Sequence, residues 1–173
     1  MKTRLIAGLM VLLSSATHAQ DAPTTGNEDP AAMTAEALAR DYMVHYSAAD
    51  WDGMEAYLAD DVVFSDPTAL GDDVGPDGYQ YDSRAAIMAA LRAFDARYNP
   101  IELGFEWDTV FESNDRVVFM GHVNARYPTE DPDRHFRWRA EQVTVITVRD
   151  GQIVRQDDFA NYAAPETGLV PAQ

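Results

Sequence analysis

The sequence predicts an α+β domain with three helices concentrated in its N-terminal half and a meandering antiparallel sheet after them. Apolar residues recur at three- and four-residue spacing up to Tyr98, and the period falls to two after Asn99-Pro100. Ser113-Asn114-Asp115 and Asp150-Gly151 then cut the second half into strand-length pieces, the Asp-Gly pair being a strong hairpin signal.

Taken in order, Thr34 can cap a first helix, along which Leu38, Tyr42, His45, Tyr46 and Ala49 share one face. Asp50 opens a shorter helix through Met54, Tyr57 and Leu58. Val62-Val-Phe-Ser-Asp66 reads as a strand that must stop at Pro67, with Val62, Phe64 and Asp66 on one face. Residues 68–82 form a Gly- and Asp-rich loop, and Ser83 caps a helix with the stripe Ile87, Leu91, Phe94 and Tyr98. Ile101, Leu103, Phe105, Trp107, Thr109 and Phe111 then alternate with polar residues, which predicts one uninterrupted strand face. Further strands are expected over 116–127, 134–149 and 152–161. On 116–127 the even positions Val118, Met120, His122 and Asn124 are expected inside. On 134–149 the inward set is Phe136, Trp138, Ala140, Gln142, Thr144, Ile146 and Val148, because the odd set there carries Arg137, Arg139, Glu141 and Arg149.

Composition narrows the chemistry. The chain has 173 residues, 46% hydrophobic and 24% charged, an ordinary globular composition for one domain. It has no cysteine, and Lys2 is its only lysine. Thiol nucleophiles, disulfides and iron–sulfur ligation are therefore excluded. With 29 acidic against 13 basic residues the formal net charge is −16, which disfavours nucleic acid and anionic membrane as partners.

The N-terminus reads as an address. Met1-Lys-Thr-Arg4 is basic, Leu5 to Leu13 is apolar, and Thr17-His-Ala19 stands where a signal peptide is cleaved. Cleavage there removes Lys2 and Arg4, takes the charge from −16 to −18, and implies a periplasmic or secreted protein. Residues 20–32 read as a disordered leader and 163–173 as a flexible tail, which leaves 33–162 as the folded unit.

The order of these elements, with Asp41-Tyr42-Met-Val-His-Tyr-Ser-Ala-Ala-Asp-Trp-Asp-Gly53 and Tyr57-Leu-Ala-Asp-Asp-Val-Val-Phe-Ser-Asp66-Pro67, resembles the SnoaL-like and ketosteroid isomerase-like branches of the nuclear transport factor 2-like superfamily. Ala85-Ala-Ile87, Pro100 and Asp150-Gly-Gln-Ile-Val154 extend the resemblance over nearly all of 33–162. It implies a cone: three N-terminal helices packed on a curved antiparallel or mixed sheet that encloses a pocket.

The resemblance also implies roles. Tyr42 matches the isomerase's oxyanion-donating tyrosine and Asp66 its general base. Asp158, seven residues after the hairpin Gly151, matches the acid that SnoaL-like cyclases and limonene epoxide hydrolases use as catalytic acid or base. Removing a proton beside a carbonyl needs such a carboxylate and a donor where charge develops. Each match has a plainer alternative: a core tyrosine with a satisfied hydroxyl for Tyr42, an Asx turn before Pro67 for Asp66, and a solvated strand end for Asp158. Where the isomerase carries a protonated aspartic acid as its second donor, this chain has Thr144, with Gln142 one pleat away.

The expected ligand-lining residues are His122, Asn124, Thr144, Gln142, Trp138, Met120, Phe64 and Leu103. No cofactor is called for. No metal is either, since His45, His122 and His135 lack ligand spacing and Asp72, Asp73, Asp77 and Asp82 only loosely resemble a calcium loop. The reaction class expected is cofactor-free proton transfer on an apolar ligand: isomerisation, cyclisation, dehydration or hydration. The alternative is a non-catalytic domain that binds a small molecule or dimerises. Val117, Phe119 and Val123, with Val143 and Val145, make the odd sheet face the expected homodimer surface.

Overall fold

The computed structural model describes residues 33–71 and 74–172. Helix α1 (Ala35–Ser47) begins where the Thr34 hydroxyl accepts from the Ala37 N–H. Helix α2 (Trp51–Glu55) is capped by Asp50, whose carboxylate accepts from the Gly53 N–H. Strands β1 (Leu58–Asp66) and β2 (Tyr79–Tyr81) precede helix α3 (Arg84–Tyr98), capped by Ser83 and ended by a left-handed Asn99. The meander follows as β3 (Phe105–Ser113), β4 (Arg116–Pro128), β5 (Arg134–Arg149), β6 (Gln152–Ala160) and β7 (Glu166–Pro171).

The sheet order is β2-β1-β6-β5-β4-β3, with β7 added to β5. All pairings are antiparallel except β1 with β6, which makes the sheet mixed and sets the first long strand beside the last one of the meander. Helix α1 lies against β3, β4 and β5, and α3 against β1. Leu38, Tyr42, Met43 and Tyr46 of α1 meet Val62, Phe119, Ile146 and Ile153 of the sheet in one core.

Three expectations are corrected. The first concerns the facing of β4. In an antiparallel pair, residues opposite one another share a sheet face. Phe119 stands opposite Thr144, Val123 opposite Ala140 and Val117 opposite Ile146, so the odd residues of β4 share the inner face with the even residues of β5. Val117, Phe119, Val123 and Ala125 are buried, and the patch expected outside is largely core. Met120, His122 and Asn124 lie on the outer face, with Met120 43% exposed. The outer apolar patch is instead Phe111, Val118, Met120, Val143, Val145 and Phe159.

The second concerns β3, whose register slips between Trp107 and Thr109. The extra residue reverses the facing, so Phe105 and Trp107 point inward, Val110 takes over the inner face, and Phe111 is 45% exposed. Gly121 is the partner at this bulge, and a Cβ there would overlap the Glu106 carbonyl oxygen.

The third concerns the C-terminus. Glu166–Pro171, expected as a flexible tail, forms β7 and pairs with Arg134–Arg139. The free edge of long β5 beyond β6 supplies unpaired backbone groups, and a Gly/Pro-containing segment with few apolar residues completes them. The expected signal peptide and leader lie outside the described residues.

Candidate active site

Topology brings the two predicted acids together. Ser65 of β1 stands beside Asp157 of β6 in the parallel pair, which puts Asp66 and Asp158 on neighbouring strands at the same level. Asp66 ends β1 at 4% exposure and Asp158 is 5% exposed. Thr144 stands directly opposite Asp158 on β5 and is fully buried. Asp157 faces the other way and pairs with Arg155 at 2.6 Å.

Asp66 accepts three hydrogen bonds. Its Oδ1 takes the Thr68 N–H at 3.2 Å and the Thr68 hydroxyl at 2.8 Å, and its Oδ2 takes the Tyr162 hydroxyl at 2.6 Å. The Asx turn before Pro67 is therefore real, and it coexists with burial beside the second acid. Thr68 also accepts from the Ala160 N–H at 2.9 Å, tying this turn to the end of β6.

Asp158 sits in a chain of side-chain hydrogen bonds. The Gln142 amide donates to Thr144 Oγ1 at 3.0 Å, and the Thr144 hydroxyl donates to Asp158 Oδ1 at 2.7 Å. On the other side the Tyr42 hydroxyl donates to Gln156 Oε1 at 2.5 Å, and Gln156 Nε2 donates to Asp158 Oδ2 at 2.9 Å. Burial pushes the Asp158 carboxyl up to about 7, against the lowering effect of the Thr144 bond; the Asp66 charge adds to the rise. Burial likewise holds the Tyr42, Tyr46 and Tyr162 phenols well above their usual range, so all three are neutral donors near pH 7.

Of the expected lining residues, Thr144 and Gln142 belong to this network. Phe64 packs on Tyr81 at 6.0 Å, and Trp138 packs on Tyr162 at 5.5 Å. Leu103 is core, its N–H bonded to the Ser47 carbonyl, and does not reach the acids. Met120, His122 and Asn124 are across the sheet: Asn124 donates to Glu106 at 2.8 Å and His122 faces Asp108 at 3.9 Å. Among the described residues no group of three His, Asp or Glu side chains could hold a metal ion. The expected loop acids Asp72 and Asp73 lie outside those residues.

Sequence reasoning missed Gln156, Tyr162 and Thr68. Gln156 shares the even facing of Asp158 on β6, so strand parity could have found it. Tyr162 lies just past the strand, as the last residue of the expected folded unit, where no strand facing places its side chain.

A cavity of about 30 Å³ adjoins the network, lined by Tyr42, Tyr46, Phe64, Tyr81, Leu91 and Gln156 among others. That is room for a water molecule. A larger groove of about 680 Å³ lies on the other face of α1, between Met43, Val44 and Ser47 and the Phe105 and Trp107 rings, with Arg40 and Arg126 on its rim.

A mixed sheet in this strand order, packed under three helices, belongs to a known fold group. The profile of the SnoaL-like domain matches residues 39–156. The chain belongs to the SnoaL-like domain family. Solved structures agree on its nuclear transport factor 2-like fold. A protein assigned as a SnoaL-like polyketide cyclase from Shewanella denitrificans superposes with a TM-score of 0.62 at 22% identity, over 75% of this chain and 91% of that one. Its counterpart from Shewanella putrefaciens gives 0.61 at 19% identity, over 76% and 93%. A protein with a ketosteroid isomerase-like fold from Catenulispora acidiphila gives 0.53 at 13% identity, over 70% and 82%. At these identities the SnoaL-like domain shares their fold, and the likeness does not extend to substrate. No curated protein matches the chain.

Proposed function

We propose that this SnoaL-like domain is an exported acid–base enzyme that moves a proton on an apolar carbonyl compound without a cofactor, in an isomerisation, cyclisation, dehydration or hydration. The observation that carries this reading is the burial of Asp66, Asp158 and Tyr42 in one polar cluster with Asp158 pushed up to about 7. Two carboxyl groups whose surroundings differ divide the work of base and acid. Asp66, which accepts three hydrogen bonds and donates none, is the base at the carbon beside the carbonyl. Asp158 holds the proton that the oxygen or the neighbouring carbon receives, and Tyr42 supplies the donor for the developing charge.

The cavity must widen for any substrate, and α3 and Tyr81, which form its outer wall, are the elements a ligand would displace. Export is supported by the basic, apolar and small-residue order of residues 1–19.

Proton exchange tests this directly. Apolar ketones and enones incubated with the protein in deuterated water should lose their α-protons, read by NMR. Asp66→Asn and Asp158→Asn, made separately, should each slow exchange by about 100-fold or more. Unchanged exchange in both variants removes the acids from the mechanism.

The large groove beside α1 favours a second reading, stoichiometric binding of an apolar ligand without turnover. Such binding would survive loss of either acid. In either case the outer patch centred on Met120 and Phe159 is our proposed homodimer surface, with both side chains close to 40% exposed (43% and 39%).

A further inference from the structure

We infer that Gln156 is a positioning residue that rotates its amide with the protonation of Asp158 and thereby decides whether the Tyr42 hydroxyl can donate to a ligand. The inference rests on the acid–base reading of the site but concerns a residue that reading does not use. Gln156 is 2% exposed and joins α1 to β6 through Tyr42, and it is also a wall of the small cavity.

The donors and acceptors can be counted. With Asp158 charged, both of its oxygens accept, one from Thr144 and one from Gln156 Nε2. Gln156 must then turn its Oε1 to Tyr42, and the phenol spends its only proton there. The oxyanion donor is occupied in this state.

When Asp158 takes a proton on Oδ2, a donor would face a donor, since Gln156 Nε2 already points at that oxygen. A half-turn of the amide resolves the clash. The new Asp158 O–H donates to Gln156 Oε1, and Gln156 Nε2 donates to the Tyr42 oxygen. Two hydrogen bonds replace two, and the Tyr42 proton is released toward the cavity it lines. One O–H bond on Asp158 is all that forms.

The Thr144 side offers no equal route. A proton on Oδ1 would donate to the second lone pair of Thr144 Oγ1, which already accepts from Gln142 Nε2. The Thr144 proton would then lose Asp158 as its acceptor, so this route gives up a hydrogen bond that the Gln156 half-turn keeps. The titratable groups facing Asp158 are Asp66 at the end of β1, Tyr42 and Tyr46 from α1, and Tyr162 past β6, while Asp157 acts on it from the opposite face of β6. The three phenols stay neutral near pH 7, so the proton that matters lies on Asp158.

The experiment is an NMR titration of the uniformly labelled full chain between about pH 5 and about pH 9, following the Gln156 side-chain amide and the Asp158 carboxyl carbon together. The two should change with one shared midpoint. Asp158→Asn should hold the Gln156 amide in its low-pH pattern throughout, since the new amide donates where the protonated acid would. Thr144→Val should leave the response of Gln156 to pH in place. Gln156 signals that stay constant while the Asp158 carboxyl titrates overturn the inference, as does a response abolished by Thr144→Val. Failure to exchange substrate protons while Gln156 still follows Asp158 would count against the enzyme reading alone.

Discussion

Asp158 carries a cost that its surroundings set. Its folded-state carboxyl titrates near 7 against an ordinary value of 3.8. Between those values the native state binds more protons than the unfolded chain, so stability falls as pH rises through that window. The contribution is complete below about pH 4 and is lost above about pH 7. Asp158→Asn should therefore stabilise the protein at about pH 8, by at most about 4 kcal/mol, and change little at about pH 4. Urea unfolding at both values checks the sign. At about pH 8 Tyr42→Phe acts the other way, because it leaves the buried Gln156 carbonyl without its donor. A loss of about 1–3 kcal/mol is expected in the same assay.

Elements were readable from the sequence where one chain segment decides its own structure. The caps Thr34, Asp50 and Ser83 and the Asp150-Gly151 hairpin stand where short-range rules place them. The facing of β4 is different in kind. Val117, Phe119 and Val123 alternate with Val118, Met120 and His122, so both faces carry apolar groups and parity alone is degenerate. The register against β5 resolves it, and that register is a property of two strands. The bulge after Trp107 and the pairing of β7 have the same origin, each depending on a partner strand. The facing makes a sharp prediction. Phe119→Ala should cost about 3–5 kcal/mol and Met120→Ala less than about 1 kcal/mol by chemical denaturation.

At the scale of the molecule, the site draws on both ends of the chain. Asp66 was readable as an inward carboxylate from its own strand, where it shares the facing of Val62 and Phe64, whereas Asp158 was placed through resemblance, because β6 changes its facing at the irregularity between Ile153 and Arg155. That they meet was readable only through resemblance, since the parallel pairing of β1 with β6 joins segments about ninety residues apart. Gln156 and Tyr162 completed the network without being anticipated, the first for want of a charge and the second for its place beyond the strand. The outer sheet face lies opposite this network and presents Phe111, Met120 and Phe159 to solvent. If that face joins two copies, Met120→Glu should convert a dimer to a monomer in sedimentation velocity while leaving the fold intact.

The central claim is that burial beside Asp66 keeps a proton on Asp158 close to neutrality. Carbon-13 NMR of the Asp158 carboxyl, titrated in the intact protein and assigned through Asp158→Asn, measures it most directly. A midpoint close to 7 is the expected result. A midpoint near the ordinary 3.8 would leave Asp158 charged at neutral pH and contradict the account.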